Sequence, residues 1–276
     1  SDKLTKLVVT GDKDLKITTA VDFVDGTNGD TTVDSTVDAS AFTGGLTVTA
    51  EAMDQSITTG SGDDTINMVG TLSKYDTVSA GTGSDTLSIN PANFGTEFTN
   101  VSGVETVSIN ATTDSTAISF KADKLSAGVE TIILDAYDHS DGGNEQEHSV
   151  TNQVSEKIVI RHSTEDAADS GDSDGNNYTV TPKTDSDADS ITVEFQGVGN
   201  DTHSSTNYFG VDGLTLSNYE TVNLVSAVNS TVANLTGGST TAKGDVKDNE
   251  LDAFTSTTAT SVVITGAADL TINAFT

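Results

Sequence analysis

Apolar and polar residues alternate along most of the chain. The runs LTVTA (46–50), KIVIR (157–161), SITVEF (190–195), LTLS (214–217) and SVVIT (261–265) all show it. A period of two is that of a β-strand, whose successive side chains point to opposite faces. The runs are short, and Gly, Asn, Asp and Ser collect between them, so the pattern predicts many short strands joined by tight turns. Helical spacing is scarce. It predicts one short helix around KADKLS (121–126) and another over NELDAF (249–254). Pro91 and Pro182 fall between strand-like runs, where a residue without an N–H is tolerated. The expected fold is all-β, with many short strands stacked along an axis.

Two internal repeats support a stack. LVVTGDKDLKI (7–17) returns as VVITGAADLTI (262–272), with Thr10 on Thr265, Gly11 on Gly266 and Leu15 on Leu270. This reads as one long unit followed by the opening of another, as in a larger repetitive protein. GVETVSIN (103–110), GVETIILD (128–135) and NYETVNLV (218–225) each give a turn, then Glu-Thr, then alternating apolar residues. Glu105, Glu130 and Glu220 are therefore expected at equivalent turns of a repeated coil. Three segments follow: β-rich 1–134, an acidic loop-rich insertion over 135–189 around a strand at 156–161, and β-rich 190–276.

Composition narrows the function. The 276 residues hold 42 acids against 12 bases, a formal charge of −30, and Arg161 is the one arginine. Such a surface repels nucleic acid, which is bound through Lys and Arg. It also repels anionic membranes, and no apolar run approaches the length of a membrane span. Self-repulsion on this scale is relieved by high ionic strength or by bound cations. Adaptation to salt and specific binding of a divalent cation both fit. Cysteine is absent, so neither a disulfide nor a thiolate metal site is available. Aromatics make up only 5% of residues, which leaves Val, Ile, Leu and Thr to fill the core.

Residues 50–88 divide into nines: AEAMDQSIT (50–58), TGSGDDTIN (59–67), then after a three-residue insertion TLSKYDTVS (71–79) and AGTGSDTLS (80–88). The eighth place holds Ile57, Ile66, Val78 and Leu87; the sixth holds Gln55, Asp64, Asp76 and Asp85. Glycine lets the backbone take positive φ, an Asp supplies a hard oxygen of the kind calcium prefers, and the aliphatic residue starts a strand. The pattern resembles the RTX nonapeptide G-G-x-G-x-D-x-U-x. That resemblance implies a parallel β-helix or β-roll-like stack with long acidic loops, two nonapeptides to a coil. It also implies Ca2+ held between stacked turns: by Asp64 and Asp85 with Asp63 beside them, and by carbonyls of Gly60, Gly62, Gly81 and Gly83. Thr59 and Ala80 stand where the family has its first glycine, and the TLSKYD copy lacks glycine, which sets Asp76 apart as a ligand.

Other acids alternate along loops, a spacing that can converge on one ion. Asp172, Asp174 and Asn176 do so, as do Asp185, Asp187 and Asp189, and DFVDGTNGD offers Asp22, Asp25, Asn28 and Asp30. Solvated acidic loops are the other reading of these runs. The four histidines, His139, His148, His162 and His203, form no zinc spacing and read as surface residues. No nucleophile elbow, Walker loop or dinucleotide fingerprint occurs, and nothing points to an enzyme.

The RTX-like turns, VDASAFTGGLTVTA (37–50), VTGDKDLKIT (9–18) and GVETVSIN together resemble the calcium-dependent S-layer proteins that Gram-negative bacteria export by type I secretion. This resemblance implies a non-enzymatic, extracellular structural protein at the cell surface. Its partners would be copies of itself in a lattice or filament, calcium and cell-surface polysaccharide, with neither nucleic acid nor membrane insertion involved. The alternative is a secreted RTX-type adhesin or appendage module that binds surface glycans through the 135–189 loops.

Overall fold

The computed structural model describes residues 4–18, 20, 23, 33–51, 53–68, 72–90, 97–111, 117–138, 146–165, 176–197, 209–228 and 248–276. Among them the chain is built almost wholly of strands, and the pairs between strands are parallel. The described helical pieces are two 3₁₀ turns, Glu97–Asn100 and Ala122–Lys124. The chain folds as two compact units, Ser1–Asn110 with Lys124–Ile132, and Ala111–Asp123 with Ile133–Thr276.

The first unit contains β1 (Lys6–Gly11), β2 (Leu15–Lys16), β3 (Ser35–Phe42), β4 (Leu46–Thr49), β5 (Gln55–Thr58), β6 (Thr65–Asn67), β7 (Thr77–Ser79), β8 (Thr86–Ile89), β9 (Val101–Ser102) and β10 (Thr106–Asn110). Odd strands pair in the order β1-β3-β5-β7-β9 and even strands in the order β2-β4-β6-β8-β10. Each turn of the chain thus gives one strand to each of two sheets, which is the topology of a parallel β-helix. The register steps 18 residues from Thr47 to Thr65, 21 to Thr86 and 20 to Thr106. A coil is therefore about two nonapeptides. Strands of three or four residues cannot stand alone. Here each is held by the coils on either side, and alternation buries one face. Val48, Ile66, Leu87 and Val107 form one inward column. Val37, Ile57, Val78 and Val101 form another.

The second unit carries β11 (Ser119–Lys121), most of β12 (Thr131–Asp138), β13 (Glu147–Gln153), β14 (Lys157–Glu165), β15 (Asn176–Pro182), β16 (Ser190–Gly197), β17 (Phe209–Leu216), β18 (Thr221–Val228), β19 (Asp248–Ser256), β20 (Ser261–Gly266) and β21 (Asp269–Phe275). Its two parallel orders are β11-β13-β15-β17-β19-β21 and β12-β14-β16-β18-β20. Coils are longer here: the register steps 35 residues from Lys157 to Thr192, 31 from Ser190 to Thr221 and 40 from Thr221 to Ser261. Longer strands accompany them, and the core gains rings. Tyr178, Leu214 and Phe254 stack in one column, and Ile158, Val193 and Leu224 in another.

Two helical expectations fail. Residues 249–254 belong to β19, because Asn249 and Leu251 turn inward two apart and pair in parallel with β17 and β21. Ladder pairing on both sides outweighs a weak local helix preference. Around KADKLS only the Ala122–Lys124 turn forms, directly after β11. The stretch 135–189 holds more strand than its acidity suggested: β13 and β15 lie there beside β14. Their alternation is carried by Ser, Thr, Asn and Gln, which masks it in a hydropathy reading.

Candidate metal centre in the stacked acidic turns

A single local rule recurs at the turn-to-strand junctions. The residue just before a strand is an acid in Asp14-Leu15, Asp34-Ser35, Asp54-Gln55, Asp64-Thr65, Asp76-Thr77, Asp85-Thr86, Glu105-Thr106, Glu130-Thr131, Asp189-Ser190 and Glu220-Thr221. At five of these junctions the acid does the same job. Its carboxylate accepts the backbone N–H of the equivalent residue one coil earlier. Asp64 accepts from Leu46 (2.7 Å), Asp76 from Gln55 (2.7 Å), Asp85 from Asp64 (2.8 Å), Glu105 from Asp85 (2.9 Å) and Glu220 from Asp189 (2.9 Å). The backbone carbonyl of the earlier acid is used as well: Asp85 O accepts from Glu105 and Thr106, and Glu105 O from Glu130 and Thr131. The chain leaves the ladder at these corners, so the N–H would lose its partner, and a charged acceptor restores one.

The glycine turns 59–64 and 80–85 lie directly on one another. Thr82 N–H donates to Gly60 O (3.1 Å), Ser84 N–H to Asp63 Oδ1 (2.8 Å), and the Thr59 hydroxyl to Ala80 O (2.5 Å). Contact is close enough to require glycine. A β-carbon on Gly81 would stand 1.9 Å from Gly60 O, and one on Gly83 would stand 2.4 Å from Gly62 O. Both residues also have positive φ, +88° and +142°. The carbonyls of Gly60 and Gly62 consequently face the next turn, and Gly60 O accepts the Thr82 N–H there.

Stacking also brings like charges together. Asp85 is 1% exposed, and its Oδ2 has no hydrogen-bond partner. Burial, followed by the charges of Asp64, Glu105 and Asp63, pushes its carboxyl up to about 6, against the opposing pull of the Asp64 N–H. Asp76 is pushed up too, first by burial and then by Asp54, although N–H groups of Gln55 and Ser73 (2.6 Å) favour its ionised form. A hard dication suits an all-oxygen, uncompensated set of this kind. Among the described residues, however, no group of three or more His, Asp or Glu side chains converges on one point. The oxygen donors match a hard cation in kind, and Asp85 Oδ2 is a buried oxygen with no hydrogen-bond partner.

The turns bearing Asp63, Asp64 and Asp85 are thus brought together as the nonapeptide register requires. Asp22, Asp25, Asp30, Asp172 and Asp174 lie outside the described residues. Asn176 opens β15 as a buried residue beside His148. Asp185 and Asp187 are exposed, while Asp189 is turned to its own loop, taking the Ser186 N–H and hydroxyl at 2.7 Å each. These three do not converge. His148, expected at the surface, is buried against Tyr178 with ring centroids 4.7 Å apart, and its Nδ1 accepts the Ile118 N–H (2.9 Å). Burial drives its pKa down to about 4. Glu105 is the member of the Asp64–Asp85 column that the nonapeptide pattern missed, while Asp76, at the pattern's sixth place, stacks on Gln55 in the other sheet. The signal that finds Glu105 is the acid-Thr pair, which ignores whether a glycine turn precedes it.

Comparison with protein-family models, curated proteins and solved structures gives no match. The site is therefore read from its own chemistry: stacked carboxylates around the buried Asp85 Oδ2, which has no donor among the described residues.

Proposed function

We propose that the chain is a calcium-dependent structural protein that assembles with copies of itself into an extracellular surface layer. The observation that carries this reading is Asp85, a buried carboxylate with an unpartnered oxygen among Asp63, Asp64 and Glu105. Bound Ca2+ would neutralise this cluster, with Asp85 Oδ2 as its carboxylate anchor. The stack supports a structural role as well. Its strands bind chiefly one another, and its formal charge of −30 needs counterions to remain compact.

In this reading the chain's own residues set the switch. Without the cation, repulsion along the acid column opposes closure of coils 59–67 and 80–88. With it, binding free energy becomes folding free energy. Sites built from few ligands are weak, which suits the millimolar calcium outside a cell and leaves the chain loose at cytosolic levels. At a calcium concentration one hundred times the dissociation constant, binding stabilises the fold by ~2.7 kcal/mol.

Thermal unfolding by circular dichroism and sedimentation, each in calcium, in magnesium and in excess chelator, tests the reading. Calcium is expected to raise the melting temperature and the assembly size, magnesium to do so much less. Equal melting temperatures and equal sizes in calcium and chelator would refute it.

A further inference from the structure

The second unit buries one histidine. His148 lies on β13 with its ring turned inward, 2% exposed and stacked on Tyr178 of β15. Its Nδ1 accepts the Ile118 N–H at 2.9 Å, and its Nε2 is buried without a hydrogen-bond partner among the described residues. Because Nδ1 accepts, the ring is neutral and carries its proton on Nε2. Ile118 stands just before β11, a strand of three residues that pairs, among the described residues, with β13 alone. The Ser149 N–H donates in turn to Ile118 O at 2.8 Å. Both backbone groups of Ile118 are thus tied to β13, one by the Ser149 backbone and one by the His148 ring.

We infer that His148 is an acid-sensitive latch: the neutral ring holds the start of β11 on the sheet, and protonation of the ring releases it. A protonated imidazole has two N–H groups and no acceptor, so the Ile118 N–H would face another donor in a dry interior. The charged groups on the strands around the ring are turned elsewhere. On β13 itself Glu147 is exposed and accepts the Asn177 Nδ2 (3.3 Å). β11 brings Lys121, also exposed, and β15 carries no charged side chain, only the Tyr178 phenol and the neutral amides of Asn176 and Asn177. In the opposite sheet β12 and β14 bury Ile132, Leu134, Ile158 and Ile160. The described charges of those strands are engaged, Asp135 with Arg161 and Lys157 with Glu194.

Burial lowers the pKa of the ring from 6.5 to about 4, against the opposing pull of the Asn176 side chain. Once β11 has opened, the ring titrates normally. The latch therefore holds fully above pH 6.5 and weakens as pH falls towards 4. With these two values the opening equilibrium of β11 rises roughly 20-fold between pH 7 and pH 5, and roughly 100-fold by pH 4. Much of the response thus comes in mild acid, above the range in which an ordinary Asp titrates. Opening uncovers the buried Ile118 and Phe120 and bares one edge of β13, where another strand can pair. The device acts without calcium and shares no residue with the acid column of the first unit.

Hydrogen exchange of the 276-residue chain at pH 7 and pH 5, corrected for intrinsic exchange rates, tests the latch. The amides of Ile118 and β11 should open roughly 20-fold more readily at pH 5. Those of Leu214 in β17 and Phe254 in β19 should not follow them. His148→Gln keeps an acceptor for the Ile118 N–H that does not titrate, so its β11 should lose the pH response. Both proteins carry the same acids, and the titration of those acids cancels in the comparison. A second readout needs no variant: the ring nitrogen shifts of wild type at pH 7 should report the Nε2–H tautomer. An equal pH response in wild type and the Gln variant, a uniform response across the second unit, or the opposite tautomer would overturn the inference.

Discussion

Replacing Asp85 by Asn should stabilise the calcium-free protein. The substitution keeps Oδ1 as acceptor for the Asp64 N–H and removes the charge that Asp64, Glu105 and Asp63 oppose. The folded carboxyl titrates at about 6, against 3.8 for an ordinary Asp. Taken at full weight that gap costs ~3 kcal/mol at neutral pH. Screening at a corner near the surface and relaxation of the neighbouring acids reduce it, so a gain of about 1–2 kcal/mol is expected. The sign with pH follows from linkage. The folded state holds this proton more tightly than the unfolded chain. The Asp85 contribution to wild-type stability is therefore most favourable below pH 4, falls as pH rises through 4 to 6, and stays low above. The Asn variant lacks that fall. The difference between the two proteins, measured by chemical denaturation in chelator at pH 4, 5, 6 and 7, isolates Asp85 from every other titrating group. In calcium the order should invert, since the variant has lost the oxygen proposed to anchor the ion. A variant less stable than wild type in chelator at pH 7 would refute the claim that the acid column is electrostatically strained.

Other changes probe separate parts of the argument. Gly81→Ala places a methyl 1.9 Å from Gly60 O at φ +88°, whereas Gly128→Ala meets nothing within 4 Å at φ +98°. Thermal melts should show the first costing ~3 kcal/mol or more and the second only the ~1–2 kcal/mol of positive φ. In the second unit Arg161 Nε lies 2.9 Å from Oδ2 of the buried Asp135. Arg161→Met should cost about 3 kcal/mol in denaturant titration by removing a partner of that buried charge, and adding Asp135→Asn should recover part of the loss. His148 is neutral when folded, with its pKa lowered from 6.5 to about 4, so its contribution is present above pH 6.5 and is lost as pH falls towards 4. NMR titration of the ring should show it largely unprotonated at pH 5, and a normal midpoint near 6.5 would contradict its burial.

Local order is legible in the amino-acid sequence to a considerable depth. Alternation in LTVTA, SITVEF and SVVIT marks β4, β16 and β20, because a strand half-buried on one face must alternate. The period of nine predicts that the turns of Asp64 and Asp85 meet, and they do, since two nonapeptides make one coil. The charge and the missing cysteine limit the class of partner without reference to any fold. What the sequence leaves open is the task of each acid. Asp64, Asp85 and Glu105 take N–H groups from residues some 20 positions earlier, and only the stacking of coils brings these donors within 3 Å. The same non-local pairing turns 249–254 from a helix-like run into β19, and it buries His148 against Tyr178. A residue's neighbours along the chain decide whether it begins a strand. Its neighbours one coil away decide whether its charge caps a ladder or bears strain.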